Sequence, residues 1–259
     1  LQGLLSNIYI SNTTWLMAER TIRLIAIAVV GVLVARYLGP QRFGLLAYAQ
    51  SYLALFIILA RLGLDGVVVR ELVGRPEDRD LVLGSAFVLK LLGSVLVWIC
   101  LGLSLLLFNI SEEDSLLIGV LALGVIFQSF NVIDFYFQSR VESKFVARAQ
   151  LAQLLVSSIL KLLLIYLQAD LIWFAVVMAL DHVILAGGIV VAYRTRGLGL
   201  FEWRLQGKMA KELLVSSAPV MLYAFCVMGL MNADQIMIRF LRDETEVGWY
   251  AAAAMIAQL

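Results

Sequence analysis

The sequence predicts an all-α membrane protein, and three observations carry that prediction. Hydrophobic residues make up 62% of the 259 and charged residues 15%, where a soluble domain is near half apolar and a quarter charged. Mean hydropathy is +0.93, so the bilayer rather than water has to be the main solvent. Four charge-free runs, Phe43–Ala60, Leu91–Ser111, Ser115–Ile133 and Leu213–Ala233, are 18, 21, 19 and 21 residues long, against about 20 needed to cross the hydrocarbon core. Only three prolines interrupt the chain, which suits helices; a transmembrane barrel would show short alternating segments.

Seven spans follow in order, at 14–37, 43–66, 81–108, 115–138, 147–168, 170–193 and 213–240, and an eighth opens near Val247. The connections are short, with no room for an aqueous domain. The longest, Arg194–Glu212, mixes Phe201 and Trp203 with Arg204, Lys208 and Lys211, as an interfacial segment lying on a membrane does. In span four, Asn131 and Asp134 read as polar glue between helices, and Phe135-Tyr136-Phe137 as an interfacial aromatic belt. Cys100 and Cys226 fall in apolar runs and read as packing residues. No cleavable signal peptide is visible, since nothing basic precedes the first apolar run; the chain opens on Leu1, so its start is expected to be trimmed.

Basic residues set the expected orientation. Alternate connections hold Arg70, Arg75 and Arg79, then Arg140, Lys144 and Arg148, then Arg194, Arg196, Arg204, Lys208 and Lys211. The intervening ones hold Arg36, Arg42, Arg239 and Arg242 beside the acidic turn Glu112-Glu113-Asp114. Eleven against four places the N-terminus in the cytoplasm. The net charge of +1 offers no basic field for nucleic acid.

The chain also repeats itself. Arg36-Tyr37-Leu38-Gly39-Pro40-Gln41-Arg42-Phe43-Gly44 follows span one, and Arg239-Phe240-Leu241-Arg242, then Gly248-Trp249-Tyr250, follows span seven. Arg36 and Arg239 are 203 residues apart, Gly44 and Gly248 204. An even number of spans separates the copies, so both cross in the same direction, the pattern of parallel repeats in transporters. Residues 1–193 then form an N-terminal six-helix lobe, 194–212 a cytoplasmic interfacial linker, and 213–259 the start of a second lobe, cut short. The chain is expected to be a fragment.

Ala35-Arg36-Tyr37-Leu38-Gly39-Pro40, Leu62-Gly63-Leu64-Asp65-Gly66, Arg70-Glu71-Leu72, Ala218-Pro219, Asp234-Gln235-Ile236-Met237-Ile238 and Gly248-Trp249-Tyr250-Ala251-Ala252 resemble, in register along the whole chain, the multidrug/oligosaccharidyl-lipid/polysaccharide exporter superfamily. Within it they are most similar to the Wzx-like polysaccharide flippases. The resemblance implies a two-lobed, MATE-like bundle of twelve to fourteen helices that alternates access to a central cavity. It implies translocation of undecaprenyl-diphosphate-linked oligosaccharide across the inner membrane for surface polysaccharide, beside a polymerase and chain-length proteins. A multidrug or cation antiporter of the same superfamily and a lipid II flippase are the alternatives. A membrane glycosyltransferase would need a carboxylate or histidine cluster on an aqueous loop, and one histidine with short loops does not supply it. No catalytic residue, metal site or cofactor is expected.

Charges inside the spans are the candidate site, because a charge at mid-bilayer costs about 2.5–3.5 kcal/mol and faces a cavity or a partner. Arg20 and Arg23, three apart in span one, offer forked donors to a diphosphate, although Glu19 also stands four residues from Arg23. Lys90 in span three and Lys161 in span five lack a local acid, so cavity-facing, snorkelling or pairing with another span all remain open. Arg61 and Asp65, four apart, read as a structural pair. Asp181, His182 and Asp234 are the candidates for proton or sodium coupling, unless the acids only pair with Lys161 or another base.

Overall fold

The computed structural model describes the backbone of residues 2–108 and 110–257, and the side chains of residue 24 and of residues 26–257 other than 109 and 256. Among these residues there is no strand. Nine α-helices follow one another: α1 Gln2–Arg61, α2 Leu64–Gly74, α3 Arg79–Leu107, α4 Glu112–Leu123, α5 Val132–Ser139, α6 Lys144–Tyr166, α7 Leu171–Arg194, α8 Gly207–Leu241 and α9 Glu244–Ala257. Six helical stretches of the described residues are long and apolar enough to cross a membrane.

The first of these contains the turn between the expected spans one and two. Inside α1, Gly39 takes φ 70° and ψ 170°, a conformation that glycine adopts without a side-chain clash. Pro40, with φ preset and no N–H to lose, restarts the helix at its first turn. The two halves fold back so that Ala26–Val34 and Phe43–Gln50 line one cavity.

Span two ends earlier than the sequence reading has it. Leu62 (φ 53°) and Gly63 (φ 62°) are both left-handed, so the helix stops at Arg61 and α2 is a separate, shorter piece. Gly63 is where α8 passes: a Cβ there would lie 2.7 Å from the Met221 nitrogen. α8 runs antiparallel to the second half of α1, touching it here and again where Ser51 Oγ donates to Gln235 Oε1 at 2.8 Å.

α3 shows how each span sorts its faces. Val82, Ala86, Lys90, Gly93, Val97, Leu101 and Ser104 recur every three or four residues and are buried. Leu92, Ile99, Leu103 and Leu106 between them are exposed, as lipid-facing residues are. Small residues set the approach, because helices in lipid gain from close backbone packing rather than from water expulsion. A Cβ on Gly93 would overlap the Leu59 carbonyl oxygen.

Two apolar cores result. One sits at the Gly39 end, from Leu45 and Tyr48 of α1 to Leu117, Phe174 and Val247. The other sits at the end nearer the 194–212 connection, from Leu64 and Val68 to Phe137, Tyr193 and Leu213. Between them lies a polar layer: Ser94 Oγ donates to the Lys90 carbonyl at 2.9 Å and sits 3.5 Å from Ser129 Oγ. Ser129 belongs to a 3₁₀ stretch, Gly124–Asn131, that joins α4 to α5 within span four.

The expected aromatic belt is instead core. Phe135 and Phe137 are buried, and Phe137 packs on Phe145 and edge-on to Tyr193. The reason is Tyr193 of α7, which packs edge-on to Tyr136 and Phe137 and is backed by the connection: Trp203 packs at an angle against Phe87 and Tyr193 and donates its indole N–H to Tyr193 Oη at 3.3 Å. The connection is pinned by the Arg204 N–H donating to the Asp80 carbonyl and by Arg75 paired with Glu212 at 3.1 Å. That hydrogen bond to Glu212, with Glu71 beside it, raises the Arg75 pKa further above its usual value.

The repeat copies meet in space. A Cβ on Gly44 would overlap the Glu244 carbonyl oxygen, and one on Gly248 would overlap the Pro40 carbonyl oxygen. With the 204-residue offset, Pro40 corresponds to Glu244 and Gly44 to Gly248, so each copy presents the same glycine to the same place on the other. This is the reciprocity of an isologous contact within one chain. Gly44→Ala and Gly248→Ala are each expected to destabilise by about 1–3 kcal/mol through overpacking, whereas Gly102→Ala, which meets open space in mid-helix, is expected to be neutral or stabilising by under about 1 kcal/mol. Thermal midpoints in detergent check this, and equal midpoints for all three variants would mean the contact is not made.

Candidate functional site

The break at Leu62-Gly63 changes what Arg61 and Asp65 do. On an unbroken helix, residues four apart share a face; across two left-handed residues they do not. Asp65 Oδ1 instead faces Lys90 Nζ of α3 at 3.6 Å. Arg61 has no acidic oxygen within ion-pair distance among the described residues, so the structural pair expected from the sequence is not formed. Arg61 and Asp65 both line a cavity of about 180 Å³ closed on its other side by Val220, Ala224 and Met228 of α8. Lys90 lies behind that wall: its side chain is 3% exposed, and its ammonium sits 4.9 Å from the Phe135 ring centroid. Lys90 thus neither snorkels to the surface nor stands on the cavity lining.

A second cavity, of about 250 Å³, opens between the two halves of α1, α6 and α7, with Met255 of α9 at its edge. Lys161 lines it and donates to Asp181 Oδ2 at 3.3 Å. Asp181 Oδ1 is buried with no hydrogen-bond partner. An orphaned buried acceptor costs about 1–3 kcal/mol, so this oxygen is open to a further hydrogen-bond donor or a small cation. Ser157, Ser158 and Gln50 add polar groups to the same wall. His182 turns elsewhere: its Nδ1 lies 3.2 Å from the Met178 carbonyl, against Gly124 at the start of the 3₁₀ stretch.

At the opposite end of α8, Arg239 ties four segments together. It donates to Asp114 Oδ2 at 3.2 Å, pairs with Glu244 at 2.7 Å, and stands 5.7 Å from the Tyr48 ring centroid. Asp114 is 3% exposed, and its Oδ1 has no hydrogen-bond partner. Asp234 accepts from Tyr250 Oη at 2.6 Å and faces no base among the described residues. The side chains of Arg20 and Arg23, with Glu19, lie outside the described residues.

The described candidates therefore separate into four places: Lys90 with Asp65, Lys161 with Asp181, His182 against the Met178 carbonyl, and Asp234 with Tyr250. Arg61 was read from the sequence only as half of a structural pair, and the Asp114–Arg239 pair was missed. Gly63 was the available signal for Arg61, since a glycine just past a helical pattern marks its end. Nothing local signals Asp114–Arg239, which joins residues 125 apart.

Lys161→Met leaves Asp181 without its cation and is expected to lower stability by about 1–3 kcal/mol, less than a fully buried pair because both side chains are about a fifth exposed. Adding Asp181→Asn is expected to recover most of that loss. Thermal midpoints of the two single variants and the double variant give the coupling; a strictly additive result would exclude the pair.

Comparison with known proteins agrees with this architecture. A membrane protein of uncharacterised role from Haemophilus influenzae is 28% identical over 229 residues, covering 86% of this chain and 54% of its own length. The chain spans about half the length of that curated relative. No solved structure matches it significantly. The family described as polysaccharide biosynthesis protein matches residues 9–259, almost the whole sequence, and the helical, strand-free fold of the described residues agrees with it. The chain belongs to that family, the Wzx-like branch of the multidrug/oligosaccharidyl-lipid/polysaccharide superfamily, and is a multi-pass membrane protein.

Proposed function

We propose that the chain is the first lobe and the beginning of the second lobe of a flippase. It carries undecaprenyl-diphosphate-linked oligosaccharide from the cytoplasmic to the periplasmic leaflet of the inner membrane. The observation that carries this reading is the cavity between the second half of α1 and α8, where one permanent cation, Arg61, faces the start of the second repeat without an acidic partner among the described residues. A guanidinium is always charged and forks to match phosphate oxygens. A diphosphate entering there meets Arg61 first, while Asp65 holds Lys90 close behind.

Arg20 and Arg23 on the same α1 add to the headgroup contacts in this reading, and the prenyl tail stays in lipid between the lobes. Residues 1–193 act as one body, 194–212 as the linker, and 213–259 as the start of the other body. The basic connections keep the N-terminus on the cytoplasmic side. Asp181 Oδ1 is the group proposed to take the coupling proton or cation, with Lys161 as its partner and His182 next to it in sequence. Asp234, held by Tyr250, is the second carboxylate for that role. A polymerase and chain-length proteins are the expected neighbours, and no catalytic residue, metal or cofactor takes part.

The test is genetic. Deletion of the full-length gene is expected to make lipid-linked oligosaccharide accumulate, and wild type to clear it. Arg61→Ala is expected to restore no more than about a tenth of wild-type clearance, from the loss of a charge-assisted contact of about 1.5–3 kcal/mol. Arg61→Lys is expected to restore an intermediate amount. Clearance by Arg61→Ala at the wild-type rate removes the headgroup role. Accumulation of lipid II, or altered sensitivity to cationic drugs without accumulation, transfers the protein to another branch of the superfamily.

A further inference from the structure

A second charged recess lies away from both cavities, at the α5–α6 turn. The turn exists because Val141 takes φ 58°, which ends α5 and lets the Glu142 N–H return to the Phe137 carbonyl at 2.8 Å. It leaves Arg140 pointing out of the helix end, exposed and with no acidic partner among the described residues. Opposite it, where α7 ends, Arg196 is fixed from two sides. It pairs with Glu142 at 2.6 Å, and its guanidinium carbon sits 4.4 Å from the Phe145 ring centroid. Tyr136, Arg140, Glu142, Arg196 and Leu198 enclose a solvent-open recess of about 260 Å³.

The charge around this recess exceeds what its own acid neutralises. Lys144 and Arg148 lie 5.4 and 5.9 Å from the centroid of the same Phe145 ring, so three cations surround one aromatic ring. Glu142 is the one acid between residues 139 and 148, and the run 194–199 holds none. An aromatic ring flanked by so many cations holds them near one another despite their repulsion. The recess also lies where α5 and α7 end and α6 begins, at one end of their apolar stretches.

We propose that this recess binds the phosphodiester headgroup of an anionic phospholipid, with Arg140 and Arg196 as the two forked donors and Tyr136 and Leu198 as the wall toward the acyl chains. The ligand is an annular lipid held at a fixed place, not the transported substrate. Arg140 supplies the unpaired charge, Arg196 the preorganised one. Lys144 and Arg148 add attraction without entering the recess. The chemistry favours a phosphodiester over a carboxylate-bearing protein partner because the recess is small and sits at the membrane boundary. The proposal depends on membrane insertion alone and stands or falls independently of the flippase reading.

The experiment uses the full chain in nanodiscs of phosphatidylethanolamine with increasing phosphatidylglycerol, and counts retained anionic lipid by native mass spectrometry after release. Wild type is expected to retain one phosphatidylglycerol that Arg140→Gln/Arg196→Gln loses, with a fall in apparent affinity of about tenfold or more. Arg140→Lys/Arg196→Lys, which keeps both charges and guards against misfolding as the cause, is expected to keep most of the binding. Glu142→Gln is expected to tighten it. Lys211→Ala, at an exposed position near the start of α8, serves as the control and is expected to change nothing. Equal retention by wild type and the double glutamine variant overturns the proposal, as does an equal loss in Lys211→Ala. Displacement of the lipid by millimolar inorganic phosphate would make the recess a site for soluble phosphate instead. Unchanged lipid retention with loss of an acidic protein partner would give the patch to that protein.

Discussion

The rest of the molecule depends on how closely two glycines let two helices cross. Gly44 and Gly248 each lie against backbone of the other repeat copy, with no room for a β-carbon. In lipid there is little water to expel, so helix association rests on dispersion and on hydrogen bonds, and both fall off steeply with separation. That crossing brings α9 onto α1 and fixes the end of α8, which then lies along the second half of α1. Only with α8 in that place does Arg239 reach Asp114, and only then does Arg61 face a wall of Val220, Ala224 and Met228 rather than bare lipid.

A second constraint is electrical. The described charges within the spans mostly occur as acid–base pairs between different helices: Lys90 with Asp65, Lys161 with Asp181, Arg239 with Asp114. Each pair relieves a charge that would be costly alone in low dielectric. Two of them join neighbouring helices, and Arg239 with Asp114 joins residues 125 apart. A binding site for an anion needs cation in excess of such pairing, and a neutralised Lys90 or Lys161 supplies less of it than Arg61. The same logic separates the two ends of the chain's passes. At the linker end the basic connections carry surplus charge; at the other end Arg239 is shared between two acids, Asp114 and Glu244.

What the sequence made legible follows from what is local in it. The spans were readable because apolar runs are contiguous, and the turn at Gly39-Pro40 because glycine and proline act on their own backbone. The repeat was readable too, and its spatial meaning appeared only once Gly44 met Glu244 and Gly248 met Pro40. Arg61 was misread because a four-residue spacing was carried through Gly63, whose left-handed backbone cancels it. Phe135-Tyr136-Phe137 was misread for a different reason. An aromatic run at a span end looks the same whether it meets lipid or, as here, Tyr193 of a neighbouring helix, itself backed by Trp203. Lys161 was expected to find an acid on another span, and Asp181 is that acid; the partners of Lys90 and Arg239 also lie on other helices, which spacing along one helix cannot reveal.

On the proposed function, the lobes have to part at one end and close at the other, and the contacts on the page differ in how well they tolerate it. The glycine crossing has no side chains to slide or re-rotamer, so it resists shear and favours a pivot. The Arg239 cluster is built to survive a small parting. Glu244 lies next to α8 in sequence and stays with Arg239 when α8 and α9 move together, so the arginine keeps a partner while Asp114 loses one. Asp114 in turn begins α4, where Ser111 caps the helix by accepting from its backbone N–H and the helix dipole favours a carboxylate. In that reading the break falls on an ion whose own helix start already stabilises its charge, so parting the lobes there leaves Asp114 less exposed to the cost of a lone buried charge.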